Sequence, residues 1–176
     1  MSAPVLDLRR PGLPDDAPVI ERLAAKGVLV RGGRLLLLRS RHGDLKLPGG
    51  GVEPGETPER AVVRELGEEC GLDAAEVGPL LLTVVDARPA HEPGAVFRMT
   101  VLHYAVTSAA EPSGPRDLEG YEADLALEPE WARPDDALAA NRAVLAAHPT
   151  DWLDATLWWV PREIAVVERL RADGHL

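Results

Sequence analysis

Residues 47–72 read LPGGGVEPGETPERAVVRELGEECGL, a stretch that joins three consecutive glycines to a segment rich in carboxylates. Glu65, Glu68 and Glu69 are spaced so that on a helix their like charges repel one another. A helix face that is merely solvated normally mixes Lys with Glu at these spacings. The pattern therefore indicates that something neutralises these three carboxylates.

The ends of this helix are marked by residues that favour a start and a stop. Thr57 is a suitable N-cap, Pro58 suits the first turn and Gly71 suits the C-terminal stop. The sequence therefore predicts a helix over about residues 58–69. At the helical period the three carboxylates share one arc, and apolar side chains such as Leu66 occupy the neighbouring arc.

Three clustered carboxylates form an oxygen-rich site that suits hard divalent cations, so we expect Mg²⁺ or Mn²⁺ as the cofactor. The glycines at positions 49–51 allow the backbone to approach such a site closely, and their carbonyl oxygens are further candidate ligands. A bound cation would convert the repulsion among the carboxylates into coordination.

Length, composition and charge restrict the functional class. A chain of 176 residues suits one domain, and 45% hydrophobic with 27% charged residues is typical of a globular protein. A formal net charge of -10 argues against a nucleic-acid partner, because phosphate contacts need clustered Lys and Arg. An anionic small-molecule substrate would therefore need cations to bridge it to the protein.

The cysteine content and the first residues favour a cytoplasmic protein without a membrane partner. Cys70 is the single cysteine, so neither an internal disulfide nor a thiolate zinc site is expected, and a buried thiol is the preferred interpretation. Residues 1–20 lack the apolar run of an export signal. A homodimer is one candidate assembly.

Outside the opening stretch, apolar runs bounded by turns predict a mixed sheet. Strands are predicted at residues 26–30, 34–39, 80–87, 97–106 and 157–160, and further helices at residues 135–147 and 162–172. Residues 1–18 are predicted to be a proline-rich N-terminal arm and residues 19–176 a single domain. Within that domain, the acidic segment 107–155 is interpreted as an insertion.

The opening stretch resembles the signature of the Nudix hydrolases, G-x5-E-x7-R-E-U-x-E-E-x-G-U, in which U is aliphatic. All nine specified positions are filled, by Gly50, Glu56, Arg64, Glu65, Leu66, Glu68, Glu69, Gly71 and Leu72. The lead-in at 47–49 is also similar, and residues 158–161 resemble the sequence that often closes the Nudix core. The resemblance covers roughly residues 24–106 and 156–172.

The resemblance implies a Nudix α/β/α sandwich around a mixed β-sheet, with an acidic, partly helical insertion before the last strand. It implies hydrolysis of a nucleoside diphosphate linked to another group, by divalent-metal-dependent attack of water on a phosphorus of the pyrophosphate. Candidate substrates are ADP-ribose-like molecules, dinucleoside polyphosphates and nucleoside triphosphates. Substrate choice is expected to depend on residues 40–46, residues 86–96 and the insertion, because loops on a rigid scaffold usually set specificity.

By position, the resemblance assigns metal binding to Gly49, Glu65, Glu68 and Glu69, with the glycine contributing its carbonyl oxygen. Arg64 would pair with these carboxylates and hold them in place. Glu56 would support the ligands or bind the metal directly.

The attacking water must also lose a proton, and carboxylates tied to a cation are poor bases. In some members of the family the base is a glutamate from a mobile loop that follows the signature. Glu119 and Glu122, beside Gly120, are candidates for this role, the alternative being a solvated acidic loop.

Several other side chains have open interpretations. His42 and His91 are predicted in loops that flank the site, where they could contact substrate or transfer a proton. His103 lies in a strand pattern and is expected to be packed or surface-facing rather than a ligand. One of Trp158 and Trp159 is expected in the core, and the other is a candidate to stack on a base.

Two alternatives to a hydrolase are considered. A non-catalytic nucleotide-sensing module on the same fold would be expected to have lost carboxylates of the signature, and all of them are present. An isomerase-type relative would need a catalytic cysteine, whereas Cys70 lies on the apolar side of the predicted helix. The complete signature favours the hydrolase.

Overall fold

The structure is a computed structural model that describes residues 3–72, 74–113, 116–118 and 121–176. In chain order its elements are β1 (Val5–Asp7), β2 (Val19–Arg31), β3 (Arg34–Arg39), β4 (Leu45–Lys46), β5 (Gly49–Gly51), α1 (Pro58–Cys70), β6 (Glu76–Pro89), β7 (Val96–Thr107), α2 (Tyr121–Leu125), β8 (Glu128–Ala132), α3 (Pro134–Ala147), α4 (Thr150–Thr156) and α5 (Val160–Ala172). Within the described ranges, no helix is both long enough and apolar enough to span a membrane.

A mixed sheet of eight strands forms the centre of the fold. Its order is β1-β6-β7-β2-β3-β4, with β5 paired to β2 and β8 paired to β3. Strand β2 runs parallel to β7 and antiparallel to β3, as the predicted mixed sheet requires. Gly32 and Gly33 adopt positive φ values of 55° and 71° between β2 and β3, which permits the tight reversal there.

Strand β3 shows why both faces of the sheet are covered by helices. Its four leucines, residues 35–38, alternate between two hydrophobic clusters on opposite faces, because successive side chains of a strand point in opposite directions. Helix α1 contributes Leu66 to one cluster, and α5 contributes Val166 to the other. The result is the α/β/α sandwich that the sequence predicted.

Helix α1 begins and ends at the residues that the sequence indicated. The Thr57 side chain accepts a hydrogen bond from the Arg60 backbone N–H at 3.3 Å. At the other end Gly71 adopts a left-handed conformation with φ 64° and donates its backbone N–H to the last turn. Cys70 is buried, and that burial raises the pKa of its thiol, in agreement with a packing role.

The strand predicted at residues 157–160 is wrong. Trp158 and Trp159 form a turn that leads directly into α5, which begins at Val160, and Pro161 occupies the first turn of that helix, where its missing N–H is not needed. The last strand of the chain is β8 instead. Residues 1–18, expected to be an irregular arm, include β1, which pairs in parallel with β6.

The segment interpreted as an insertion is built into the sandwich. Its strand β8 pairs antiparallel with β3, and its helix α3 packs on α5. Helix α2, in the same segment, places Glu122 close to Glu65 and Glu69 of α1. The limits of residues 107–155 as a separate insertion stay a prediction.

Candidate active site

Three carboxylates from two helices meet beside the C-terminal half of α1. Glu65 and Glu69 come from successive turns of α1 and Glu122 comes from α2, and the three offer oxygens that lie within 4.8 Å of one another. We call these residues the carboxylate cluster. Glu65 is only 6% exposed and Glu69 is fully buried, so part of this negative charge is withdrawn from water.

The cluster disfavours full ionisation of its own members. Burial, reinforced by repulsion from Glu69, raises the pKa of Glu65 to about 7. Burial also raises the pKa of Glu69, although the neighbouring Lys46 acts in the opposite direction. Glu65 therefore loses its proton only near pH 7, and a divalent cation bound there would displace that proton.

Glu69 is oriented by the segment that precedes the signature helix. The Gly49 backbone N–H donates to Glu69 Oε2 at 2.6 Å, and Lys46 Nζ lies 3.4 Å from Oε1. In the part of the chain that the structure describes, no donor forms a hydrogen bond to the buried Oε1. Leaving a buried carboxylate oxygen without a hydrogen bond is unfavourable, so Oε1 fits a metal ligand.

The glycines before α1 are required by close packing at two positions. Gly49 has φ 128°, and a Cβ there would overlap the carbonyl oxygen of Ala25. A Cβ on Gly50 would overlap the carboxylate of Glu65. The backbone thus approaches the carboxylates as closely as the sequence predicted.

Arg64 joins the loop before α1 to the carboxylates of the helix. Its guanidinium donates to both oxygens of Glu56 at 3.0 and 3.1 Å, to Glu65 at 3.0 Å, to Glu68 at 3.0 Å and to the Gly51 carbonyl at 2.9 Å. The hydrogen bonds to Glu56 raise the pKa of Arg64, so the guanidinium remains charged. These contacts suit the orienting role expected for Arg64.

Glu68 is placed differently from the other two carboxylates of α1 that were predicted to bind metal. Among the described residues, Glu68 is not a member of the carboxylate cluster, and its half-buried carboxylate accepts from Arg64 instead. Glu119 lies outside the described residues. Direct metal contacts of Glu68, Glu56 and the Gly49 carbonyl stay predictions.

A cavity of about 600 Å³ opens beside the cluster, with Lys46, Gly49 and Gly50 in its wall. The rest of its wall includes residues from all three segments expected to set substrate choice. Residues 40–46 contribute Arg41 and His42, residues 86–96 contribute Arg88 and His91, and the segment 107–155 contributes Asp124 and Leu125. The two histidines expected to flank the site therefore do line this cavity.

The cavity also has a wall of stacked aromatic and cationic groups. The Arg88 guanidinium lies 4.2 Å from the ring centroid of Trp158 and 5.3 Å from that of Phe97. Trp159, in contrast, is buried and donates its indole N–H to Asp44 at 3.0 Å. Trp159 is thus a core residue and Trp158 is half-buried; both line the cavity, and neither lies in a strand.

A buried ion pair that the sequence did not predict lies near the cluster. Lys26 Nζ is 2.9 Å from Glu163 Oε1, and the two side chains are 4% and 1% exposed. Burial alone would raise the pKa of Glu163, but Lys26 and Arg162 lower it to about 2. His103, next to this pair, is fully buried, and burial lowers its pKa to about 3, so it is a packed neutral histidine.

Residues 21–153 match the NUDIX domain family. The chain is 44% identical over 54 residues to an ADP-ribose pyrophosphatase of Methanocaldococcus jannaschii, which covers 28% of this chain and 32% of that protein. It is 68% identical over 28 residues to an 8-oxo-dGTP diphosphatase of Escherichia coli, which covers 16% of this chain and 22% of that protein. The matched stretches thus span no more than about a third of the length of these two relatives.

A solved structure of a NUDIX hydrolase from Nitrosomonas europaea is similar with a TM-score of 0.48 and 22% sequence identity. That similarity covers 78% of this chain and 86% of the other one. The family match includes most of residues 107–155, which the sequence had left unassigned.

Proposed function

The chain belongs to the Nudix family, and from this premise we propose that it is a divalent-metal-dependent pyrophosphohydrolase. Its proposed substrate is a nucleoside diphosphate linked to another group. The observation that carries the proposal is the carboxylate cluster of Glu65, Glu69 and Glu122, whose neighbours Lys46, Gly49 and Gly50 line a cavity of about 600 Å³. An excess of buried negative charge beside a substrate-sized cavity is what a metal-dependent phosphoryl site requires.

The residues present fit Mg²⁺ or Mn²⁺. Glu65 and Glu69 are proposed to hold the cation, because both are buried carboxylates and Glu69 Oε1 lacks a hydrogen bond within the described chain. All the donors of this set are hard oxygen ligands. When bound, the divalent cation would neutralise the diphosphate, activate the attacking water and orient the leaving group.

The protein's own side chains would orient the metal ligands and balance the charge of the substrate. Arg64 holds Glu65 through a hydrogen bond of 3.0 Å, and Lys46 with Gly49 holds the two oxygens of Glu69. Arg22 and Arg41 line the cavity, where guanidinium groups can balance the charge of a bound phosphate. The cavity would thus present these arginines to an anionic substrate, although the net charge of the protein is negative.

We propose Glu122 as the general base that takes the proton of the attacking water. It comes from α2, separate from the two carboxylates of α1, and its half-buried side chain lies at the same cluster. A carboxylate placed within reach of the water can accept its proton as the bond to phosphorus forms. The predicted base role is therefore assigned to Glu122, while Glu119 stays an untested alternative.

The identity of the second group on the diphosphate is proposed to depend on the cavity wall. The relatives include an ADP-ribose pyrophosphatase and an 8-oxo-dGTP diphosphatase, so ADP-ribose-like molecules and nucleoside triphosphates lead the candidates, with dinucleoside polyphosphates beside them. The planar wall of Trp158, Arg88 and Phe97 offers a surface that suits a nucleobase.

Hydrolysis of a nucleotide panel with and without Mg²⁺ tests the proposal. The panel contains ADP-ribose, dinucleoside polyphosphates and nucleoside triphosphates, and we expect hydrolysis of at least one of them only when the cation is present. Glu69→Gln should abolish this activity, whereas Glu59→Gln, an exposed residue of the same helix, should leave it unchanged. Binding of nucleotides without hydrolysis in Mg²⁺ or Mn²⁺ would instead support the non-catalytic sensing module.

A further inference from the structure

We propose that Lys26 and Glu163 are positioning residues, a buried ion pair that fixes the backbone of Leu47 and thereby holds Glu69 in the geometry that binds metal. We call this ion pair the Leu47 clamp. The inference rests on the proposed metal role of Glu69, and it adds two residues that lie outside the signature.

The clamp acts at a break in the sheet. Leu47 lies in the gap between β4, which ends at Lys46, and β5, which begins at Gly49. Lys26 Nζ donates to the Leu47 carbonyl oxygen at 2.8 Å, and Glu163 Oε2 accepts the Leu47 backbone N–H at 3.0 Å. The contact of 2.9 Å between Lys26 and Glu163 closes a ring of hydrogen bonds around this one residue.

The residues on both sides of the clamped position contact the metal-binding carboxylate. Lys46 Nζ lies 3.4 Å from Glu69 Oε1, and the Gly49 backbone N–H donates to Glu69 Oε2 at 2.6 Å. Between them, the Pro48 carbonyl accepts from the Gly27 backbone N–H at 3.0 Å. A displacement of the clamped residue would therefore move both groups that orient Glu69.

The chemistry of the clamp explains why a charged pair occupies this buried place. Pro48 has no N–H, so a regular strand ladder cannot continue through it. The polar groups of Leu47 are buried and still need partners. Lys26 supplies a donor and Glu163 an acceptor, which is the pair of functions that one N–H and one C=O require.

Stability alone is a poor explanation for the clamp. Moving two charges out of water is unfavourable, and buried ion pairs are often replaced by apolar side chains without loss of stability. Both residues of the clamp are almost fully buried, Lys26 on β2 and Glu163 on α5, and Arg162 Nη2 lies 3.5 Å from Glu163 Oε1. Their function is therefore assigned to geometry, namely the fixed position of the backbone beside Glu69.

The test replaces the whole clamp and compares it with an exposed ion pair that also includes a glutamate of α5. Lys26→Met/Glu163→Leu removes both charges together, and Arg162, which lies 3.5 Å from Glu163, retains Asp86 at 3.6 Å as a carboxylate partner. The control is Arg142→Met/Glu168→Leu, which removes the exposed ion pair of 2.5 Å between α3 and α5. Every readout is made on the full chain, first without metal and nucleotide.

The first readout is amide hydrogen exchange of Gly49 by NMR in the metal-free protein, and the second is Mn²⁺ affinity by electron paramagnetic resonance without nucleotide. In the clamp variant we expect Gly49 exchange to accelerate and the Mn²⁺ dissociation constant to rise, each by ~10-fold or more, the usual scale for residues that orient ligands. The turnover number should fall by a similar factor, with KM changed by less than about threefold. The control should behave as the wild type in all of these measurements.

A folded clamp variant with wild-type Gly49 exchange and wild-type Mn²⁺ affinity would overturn the inference. Should the double variant not fold, the same readouts are made on Glu163→Gln. Glutamine keeps the shape of the side chain, but its amide NH2 group would face one of the two donors, Lys26 Nζ or the Leu47 N–H, that Glu163 accepts from. We expect the same changes there at about threefold, and either unchanged values or a failure to fold would reduce the clamp to a stabilising element and overturn the inference. If the clamp effects are seen while no nucleotide is hydrolysed, the proposed hydrolase function fails and the positioning role stands.

Discussion

Two groups of buried charge contact residues 46–49, and their charges are balanced to different extents. In the Leu47 clamp, Lys26 and Glu163 neutralise each other and bind the backbone between them. In the carboxylate cluster, negative charge is in excess and Glu69 has an oxygen without a hydrogen bond in the described chain. Buried charges that balance each other fix the backbone, whereas an excess of buried negative charge prepares a site for a cation.

The pKa values of the two groups express the same difference. Burial would raise the pKa of Glu163, yet its neighbours Lys26 and Arg162 lower it to about 2. Burial raises the pKa of Glu65 to about 7, and the repulsion of Glu69 adds to that effect. Glu163 is therefore ionised throughout the physiological range of pH, whereas a bound cation would be needed to favour the ionised form of Glu65.

The largest effect is expected for Glu69→Gln. The change keeps the size of the side chain but removes one negative charge from the proposed metal site, so turnover in Mg²⁺ should fall by at least ~10²-fold. Circular dichroism should show an unchanged fold. A near-wild-type rate would remove Glu69 from the metal site and leave the cluster without its distinguishing role.

Glu122→Gln should lower turnover by a similar ~10²-fold, the scale of general-base loss, while Mn²⁺ affinity stays close to that of the wild type. Turnover across pH and direct Mn²⁺ titration measure the two quantities separately. A parallel loss of Mn²⁺ affinity would make Glu122 a metal ligand. An unchanged pH profile would return the base role to the signature, with Glu65 or Glu68 as the next candidates.

Arg64→Lys should have a smaller effect, a loss of ~10-fold in turnover and in Mn²⁺ affinity. Lysine cannot reproduce the planar guanidinium that donates to both oxygens of Glu56 and also reaches Glu65. Parallel assays on Arg60→Lys, an exposed arginine of the same helix, provide the control. Full activity in Arg64→Lys would contradict the orienting role.

The smallest effect concerns the stability of the metal-free protein. The pKa of Glu65 is about 7 in the folded state and 4.5 in its unperturbed state, so the folded protein binds an extra proton between these values. Stability should therefore fall as pH rises from 4.5 towards 7 and stay reduced above it. Glu65→Gln should raise the melting temperature at pH 8 by on the order of 5 °C and change it little at pH 4.

Differential scanning calorimetry in the presence of a chelator measures this difference. A melting temperature for Glu65→Gln below that of the wild type at pH 8 would show that the ionised cluster is already balanced without a cation. That result would remove the contrast between the cluster and the clamp.

The sequence predicted α1 and its carboxylates because the signals involved are local. Thr57 and Gly71 cap the helix through neighbouring backbone groups, and the spacing of the glutamates follows from the helical period. The clamp could not be predicted in this way, since its residues are 137 positions apart and meet only through packing. The available signal was Lys26 within an apolar strand pattern, where a buried charge needs a partner.

The wrong strand at residues 157–160 has an equally physical origin. A short apolar run does not distinguish a buried strand from the start of a buried helix. Pro161 directly follows the predicted strand, and proline is as suitable for the first turn of a helix as for the end of a strand. The cytoplasmic location and the homodimer concern matters beyond a single folded chain and stay predictions.

Anomalous scattering of a crystal soaked in Mn²⁺ without nucleotide tests most directly whether Glu65 and Glu69 bind the cation. We predict a peak whose oxygen ligands lie within about 2.5 Å and include the carboxylates of Glu65 and Glu69, with Glu122 at the edge of the site. A peak held by Glu68 and Glu56 without Glu69, or no peak near α1 at all, would contradict it.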